Sequence, residues 1–292
     1  MNNSIIDNLD IINFAKNSEV FDIEVFDIEK HGAIKVYGNE NQPTLFLKEV
    51  EVFDKETLKT ISEIQHICWN FQKVLFLYIY SKTEIRIYNC SEKPVLYNEN
   101  QNNFKIALKK LELLSCKETD TTSKLQTLNT LFSRIAIDTG FIWSATEAEE
   151  IRNKLKLQNR VDKYLIASLK NVSEKLIKEG LKDKDIIHKL VMRSLFLLYL
   201  EDKKATTKEF YKQFSENAKT YFDVLENLNA TYNLYKRLAD DFNGSLFTID
   251  ENETNIVKPN HLELIKKCFT AGYEDTNQIE LYSNWRLFDF KI

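Results

Sequence analysis

Val74-Leu75-Phe76-Leu77-Tyr78-Ile79-Tyr80-Ser81-Lys82-Thr83-Glu84-Ile85-Arg86-Ile87-Tyr88 is the stretch that decides the fold of the first part of the chain. Its first seven residues are apolar, β-branched or aromatic without interruption, so they predict a central strand covered on both faces. Ser81-Lys82-Thr83 predicts a turn. Glu84 to Tyr88 then alternates polar and apolar, the period of a half-buried strand hairpinned to the first. Working outward, Ala33 to Tyr37 and Thr44 to Lys48 predict two more strands around a turn at 38–43. Apolar spacing predicts helices over 4–16, 55–71 and 103–114. These elements make an α/β domain over residues 1–116.

The texture then changes. Residues 116–123 are polar and unpatterned, and a domain boundary is expected there, with Ser123 as N-cap of the next helix. From 124 onward helical spacing dominates, in 124–137, 145–156, 160–179, 184–202, 219–242 and 259–271, with Gly180 and Gly272 as helix stops. Leu246 to Ile249 predicts a short strand. The expected fold class is α+β, an α/β domain followed by an all-α connector bundle over 124–292, with residues 184–202 at its core.

Scarcity of glycine bounds the chemistry. The 292 residues include 6 Gly and 3 Pro, against average usage of about 7% and about 5%. No pair of glycines fits a dinucleotide or phosphate loop. The cysteines and histidines show no metal-ligand spacing. No signal peptide or transmembrane run is present, so a cytoplasmic protein without membrane contact is expected.

Net charge is -4, yet residues 152–212 hold 16 basic against 8 acidic side chains. Phosphate contacts need cations on a shared face. The candidates for DNA contact are Arg152, Lys156, Arg160, Lys163, Lys170, Lys189 and Arg193, and the competing reading is the solvated face of a helical bundle. For metal-dependent hydrolysis, two carboxylates and a lysine must meet at Mg²⁺. The nearest patterns are Glu84-Ile85-Arg86 and Glu49-Val50-Glu51, with Asp27 or Glu49 as partner acid. Neither pattern has the lysine in place, and a solvent-facing strand with Glu84 and Arg86 outside is the preferred reading.

Several short segments resemble one family. They are Arg160-Val161-Asp162-Lys163-Tyr164-Leu165, His188-Lys189-Leu190, Arg193 through Lys203, Leu238 through Phe247, and Trp285-Arg286-Leu287-Phe288-Asp289-Phe290-Lys291-Ile292. In the first domain Trp69-Asn70, the 74–80 run and Ile87-Tyr88-Asn89-Cys90 resemble it too. Together they are similar to the N-terminal and helical regions of type IIG-like adenine-N6 DNA methyltransferases of restriction–modification systems. The resemblance implies a DNA-associated parent enzyme using S-adenosylmethionine, with its methyltransferase domain beyond Ile292. It also implies a nuclease-like N-terminal domain, with Mg²⁺ if that domain is active.

None of the three prolines is followed by a second, so the base-gripping loop of such enzymes is absent from this sequence. The cofactor's glycine loop is absent as well. The expectation is therefore the front part of a longer enzyme, a scaffold holding no cofactor of its own and not methylating by itself. The alternatives are a Mg²⁺ endonuclease in residues 1–116 and a stand-alone protein-interaction module.

Overall fold

The computed structural model describes residues 5–21, 23, 26, 28–39, 42–95, 97, 104–155, 159–242, 244–273 and 286–290. Two compact units divide at Val161/Asp162.

Unit 1 is built on a six-stranded mixed sheet: β1 (Lys16–Asn17), β2 (Lys35–Asn39), β3 (Gln42–Glu49), β4 (Phe76–Tyr80), β5 (Glu84–Asn89) and β6 (Glu112–Lys117). The strands lie in sequence order, and β3–β4 is the parallel pair. A parallel pair needs a crossover, supplied here by helix α2 (Lys55–Phe71), which follows the short α1 (Ile28–His31). Asp54 caps α2 by accepting from the Thr57 amide. All five residues of β4 are buried, as the uninterrupted apolar run requires. Phe46, Leu77 and Ile79 face a core closed by α2 and α3 (Phe104–Lys110). Leu45, Leu47, Phe76, Tyr78, Ile85 and Ile87 face the opposite core.

Cover for that second face comes from beyond the expected boundary. Helices α4 (Thr122–Phe132), α5 (Arg134–Asp138), α6 (Phe141–Ser144) and α7 (Glu149–Lys154) bring Leu128, Leu131, Phe132, Ile142 and Ile151 onto the sheet. Phe132 meets Phe76 and Tyr78 edge to face at 6.0 and 6.2 Å, and its carbonyl accepts from the Tyr78 hydroxyl at 3.0 Å. The polar stretch 116–123 therefore lies within unit 1, its residues 118–121 turning from β6 into α4, and the division expected there falls at 161.

Two further expectations change in unit 1. The helix expected over 4–16 is two 3-10 turns, Asp7–Leu9 and Ile12–Phe14, interrupted at Asp10 with φ 54°. The helix expected over 103–114 ends at Lys110, and β6 follows. Register slips at Tyr88, which pairs with Glu112 while Ile87 pairs with Leu114. That slip leaves Leu113 as an extra residue and breaks the alternation that marks a strand. Buried Leu113 and Cys116 then stand three apart, which imitates a helical period.

All the regular secondary structure among the described residues of unit 2 is helical: α8 (Val161–Lys178), α9 (Lys184–Asp202), α10 (Lys208–Lys212), α11 (Tyr221–Val224), α12 (Leu228–Asp241), α13 (Glu253–Ile256) and α14 (Pro259–Ala271). The α+β class thus holds. The single helix expected over 219–242 is α11 and α12, broken where the Asn227 side chain accepts from the Ala230 amide. Leu246 to Ile249 forms no strand. Gly272 has φ +80°, and a Cβ there would lie 2.4 Å from Tyr164. Segment 286–290 is pinned by Arg286, bidentate to Asp202 at 2.7 Å on both nitrogens, and by the Phe290 amide, 2.7 Å from the same carboxylate.

Phe132→Ala is expected to cost about 3–5 kcal/mol in urea unfolding of the full chain, by opening a cavity under the sheet. Ile135→Ala on the adjacent, exposed helical surface should stay within about 0.5 kcal/mol. Equal effects would show that residues past 121 do not close the β-sheet core.

Candidate functional site

Glu49 pairs in register with Tyr80, and Tyr80 with Ile85. Directly paired residues share a face and neighbours along a strand alternate, so Glu49 lies on the face of Tyr80 and Ile85. Glu84 and Arg86 lie on the other face. The two carboxylates singled out for a shared ion therefore stand on opposite sides of the sheet, and Asp27 lies outside the described residues.

Glu84 is engaged already. Arg86 Nε donates to it at 2.6 Å, and Lys117 stands at 3.8 Å. The Arg86 guanidinium stacks 4.0 Å over Phe53. Burial works against its charge, but Glu84 and Tyr88 outweigh it and hold the guanidinium's pKa above its ordinary value. Among the described residues, no group of three or more His, Cys, Asp or Glu is placed to hold a metal ion.

The basic candidates divide sharply. Arg193, at the centre of α9, is fully buried. Its Nε donates to the Leu246 carbonyl at 2.7 Å and one Nη to the Thr248 carbonyl at 2.9 Å. Both Nη atoms face the equally buried carboxylate of Glu253. The guanidinium also lies 4.9 Å over the Tyr235 ring. This accounts for the missing strand, because 246–248 supplies its carbonyls to Arg193 instead of to a neighbour. Beside the pair, Ser194 gives its proton to the Leu190 carbonyl at 2.7 Å. Tyr221 must then donate to Ser194, and Tyr235 to Tyr221, each at 2.8 Å. Burial pushes both phenols up, so they stay neutral donors.

Arg152 donates to the carbonyls of Ile142 and Ala145, closing the turn between α6 and α7. Arg160 donates to the Gln72 carbonyl at 2.8 Å. Lys189 pairs with Asp250 at 2.8 Å. These four candidates are structural ties. Lys156 lies outside the described residues. Lys163 and Lys170 are exposed on α8.

A helix turns 100° per residue, so the outer arc of α8 carries Lys163, Ile166, Lys170, Glu174, Ile177 and Lys178, all exposed. Lys178 belongs to the basic stretch, and its place beside the other two lysines follows from its spacing from Lys163. Ile166 and Ile177 are 58% and 42% exposed, apolar residues where solvent should favour polar ones.

A separate concavity, in unit 1, has a volume of about 490 Å³. Gln42 and Thr44 of β3, Lys73 before β4, Phe76, and Ile142 and Trp143 of α6 are among its walls. No local pattern in the sequence marks any of them as functional. The available signal was Phe141-Ile142-Trp143, three successive large apolar residues that one helical face cannot bury together. Ile142 is buried, and Phe141 and Trp143 are exposed.

Comparison of the chain with protein families, with curated proteins and with solved structures finds no match. No helix among the described residues is long and apolar enough to cross a membrane.

Arg193→Ala strands a buried carboxylate and should cost about 3–5 kcal/mol in unfolding. Arg193→Met combined with Glu253→Leu removes both charges and should cost much less. If the single variant unfolds like the unaltered chain, the pair does not hold unit 2 together.

Proposed function

We propose that this chain is a non-catalytic scaffold, the α+β and helical front part of an adenine-N6 DNA methyltransferase of a restriction–modification system. Its DNA-facing surface is the outer arc of α8. The parent enzyme would take S-adenosylmethionine in a domain following Ile292 and act in the cytoplasm.

One observation carries the reading. Several of the residues through which the chain resembles that family hold unit 2 together. Arg193 in the Arg193-to-Lys203 segment makes the buried pair with Glu253. Phe247 packs with Phe196, Tyr235 and Phe242. Arg286 pins its segment to Asp202, and Leu287 and Phe288 are buried beside it. A resemblance concentrated at such points is one of architecture, as expected of a connector. The lysines of α8 remain outside that framework, solvated and spaced along about 22 Å of helix, at 1.5 Å per residue, a length suited to a run of phosphates.

Duplex binding by the chain, measured between 50 and 200 mM salt, tests the proposal. Each phosphate contact adds about 0.9 to the slope of log affinity against log salt. Reversing Lys163, Lys170 and Lys178 to Glu should remove most binding and lower the slope by about 2 to 3. Unchanged affinity and slope would remove DNA from this face.

Plasmid incubated with Mg²⁺ or Mn²⁺ should stay intact. Cleavage that is lost in Glu84→Gln would replace the scaffold with the competing reading, a nuclease-like domain in residues 1–116.

A further inference from the structure

The polar groups that line the concavity of unit 1 are uncommitted. The arginines of the basic stretch are tied to carbonyls or carboxylates. In contrast, the Gln42 amide, the Thr44 hydroxyl, the Lys73 ammonium and the Trp143 indole N–H make no hydrogen bond or ion pair with a described residue. Lys73 has an aromatic neighbour, lying 5.7 Å over the Phe71 ring. It is the only charged side chain among the described residues that line the cavity.

Trp143 is 47% exposed at the wall, and Phe76 and Ile142 are buried behind it. The rim is held in place from several directions. Tyr37 donates to Asp138 at 2.6 Å, and Arg134 bonds Asp138 at 3.5 Å and Asp10 at 2.9 Å. These bonds tie α5, next to α6, to β2 and to the first turns of the chain.

An apolar wall with a few converging polar groups, in a volume of roughly 300–1,000 Å³, is the general form of a small-ligand site. Here the chemistry is narrower. A half-exposed indole offers a flat stacking surface, the ammonium calls for one anionic group, and an amide and a hydroxyl can meet the edge of a heterocycle. We infer that this cavity binds one nucleotide, its base stacked on Trp143 and its phosphate at Lys73. The nucleotide is either a free nucleoside monophosphate or one residue of a single strand. The inference rests on the cavity and not on the family resemblance or on the lysines of α8.

Calorimetric titration of the full chain with dAMP, deoxyadenosine, inorganic phosphate and a single-stranded dA oligomer tests it. dAMP should bind, deoxyadenosine about tenfold more weakly, and phosphate weakest. Base–aromatic stacking of about 1–3 kcal/mol means that Trp143→Ala should weaken dAMP at least about fivefold, while Trp143→Phe keeps most of the affinity. Lys73→Gln should erase the preference for dAMP over deoxyadenosine. Circular dichroism checks that each variant is folded.

Binding of the oligomer without dAMP would assign the site to a nucleotide within a strand and uphold the ligand chemistry. Reversing the α8 lysines should leave dAMP binding unchanged, so failure of the duplex reading and failure of this one are distinguishable. No binding of dAMP or oligomer overturns the inference, as does binding that neither Trp143→Ala nor Lys73→Gln alters. Occupancy by an acidic aromatic peptide that nucleotides cannot displace also overturns it.

Discussion

Strand β4 is apolar on both faces, and a strand of that kind has to be covered twice. One cover is local, because α2 is the crossover that a parallel β3–β4 pair requires. The other has to come from elsewhere in the chain, and α4 to α7 provide it by laying Leu128, Leu131, Phe132 and Ile142 on the sheet. Unit 1 therefore extends to Val161. A polar loop at 118–121 separates two elements of one core and does not mark a change of domain. The same cover creates the cavity, since α6 places Ile142 against the sheet and leaves Trp143 at the surface.

In unit 2 the corresponding constraint is electrostatic. Burying a guanidinium and a carboxylate costs several kcal/mol per ion unless each finds partners. Arg193 and Glu253 meet that requirement with one another, two carbonyls, the Tyr232 hydroxyl and the Tyr235 ring. Chain from 246 to 253 is drawn across α9 to supply those partners, so its course follows from Arg193 more than from its own propensity. The Arg286–Asp202 pair pins segment 286–290 in the same manner.

Charge counted along a sequence and charge available to a ligand are different quantities. Residues 152–212 are strongly basic in composition, but their arginines mostly close turns and fill the core. Guanidinium suits this use because it is planar, weakly hydrated and carries five donors. Lysines, more strongly hydrated, stay outside, as Lys163, Lys170 and Lys178 do on α8. The strand-end acids teach a related point about geometry. Glu49 and Glu84 are at the same end of the two strands that flank β4, yet the pleat directs them to opposite faces.

The sequence by itself determined what depends on local period and local chemistry. The hairpin of β4 and β5, the crossover helix 55–71, helix 184–202 and the helix between Pro259 and Gly272 were legible because each signal lies within its own residues. Burial of β4 on both faces was legible for the same reason. Only the tertiary structure decided which segment covers the second face of β4, where the first unit ends, and which cations are spent internally. The hydrogen-bond partners of Arg193 lie 53 to 60 residues away, and no local pattern encodes such a separation. Strand β6 was hidden because a bulge moves Leu113 out of alternation. The cavity was hidden because Gln42, Lys73 and Trp143 are unremarkable singly and acquire a shared meaning only where the fold brings them to one place.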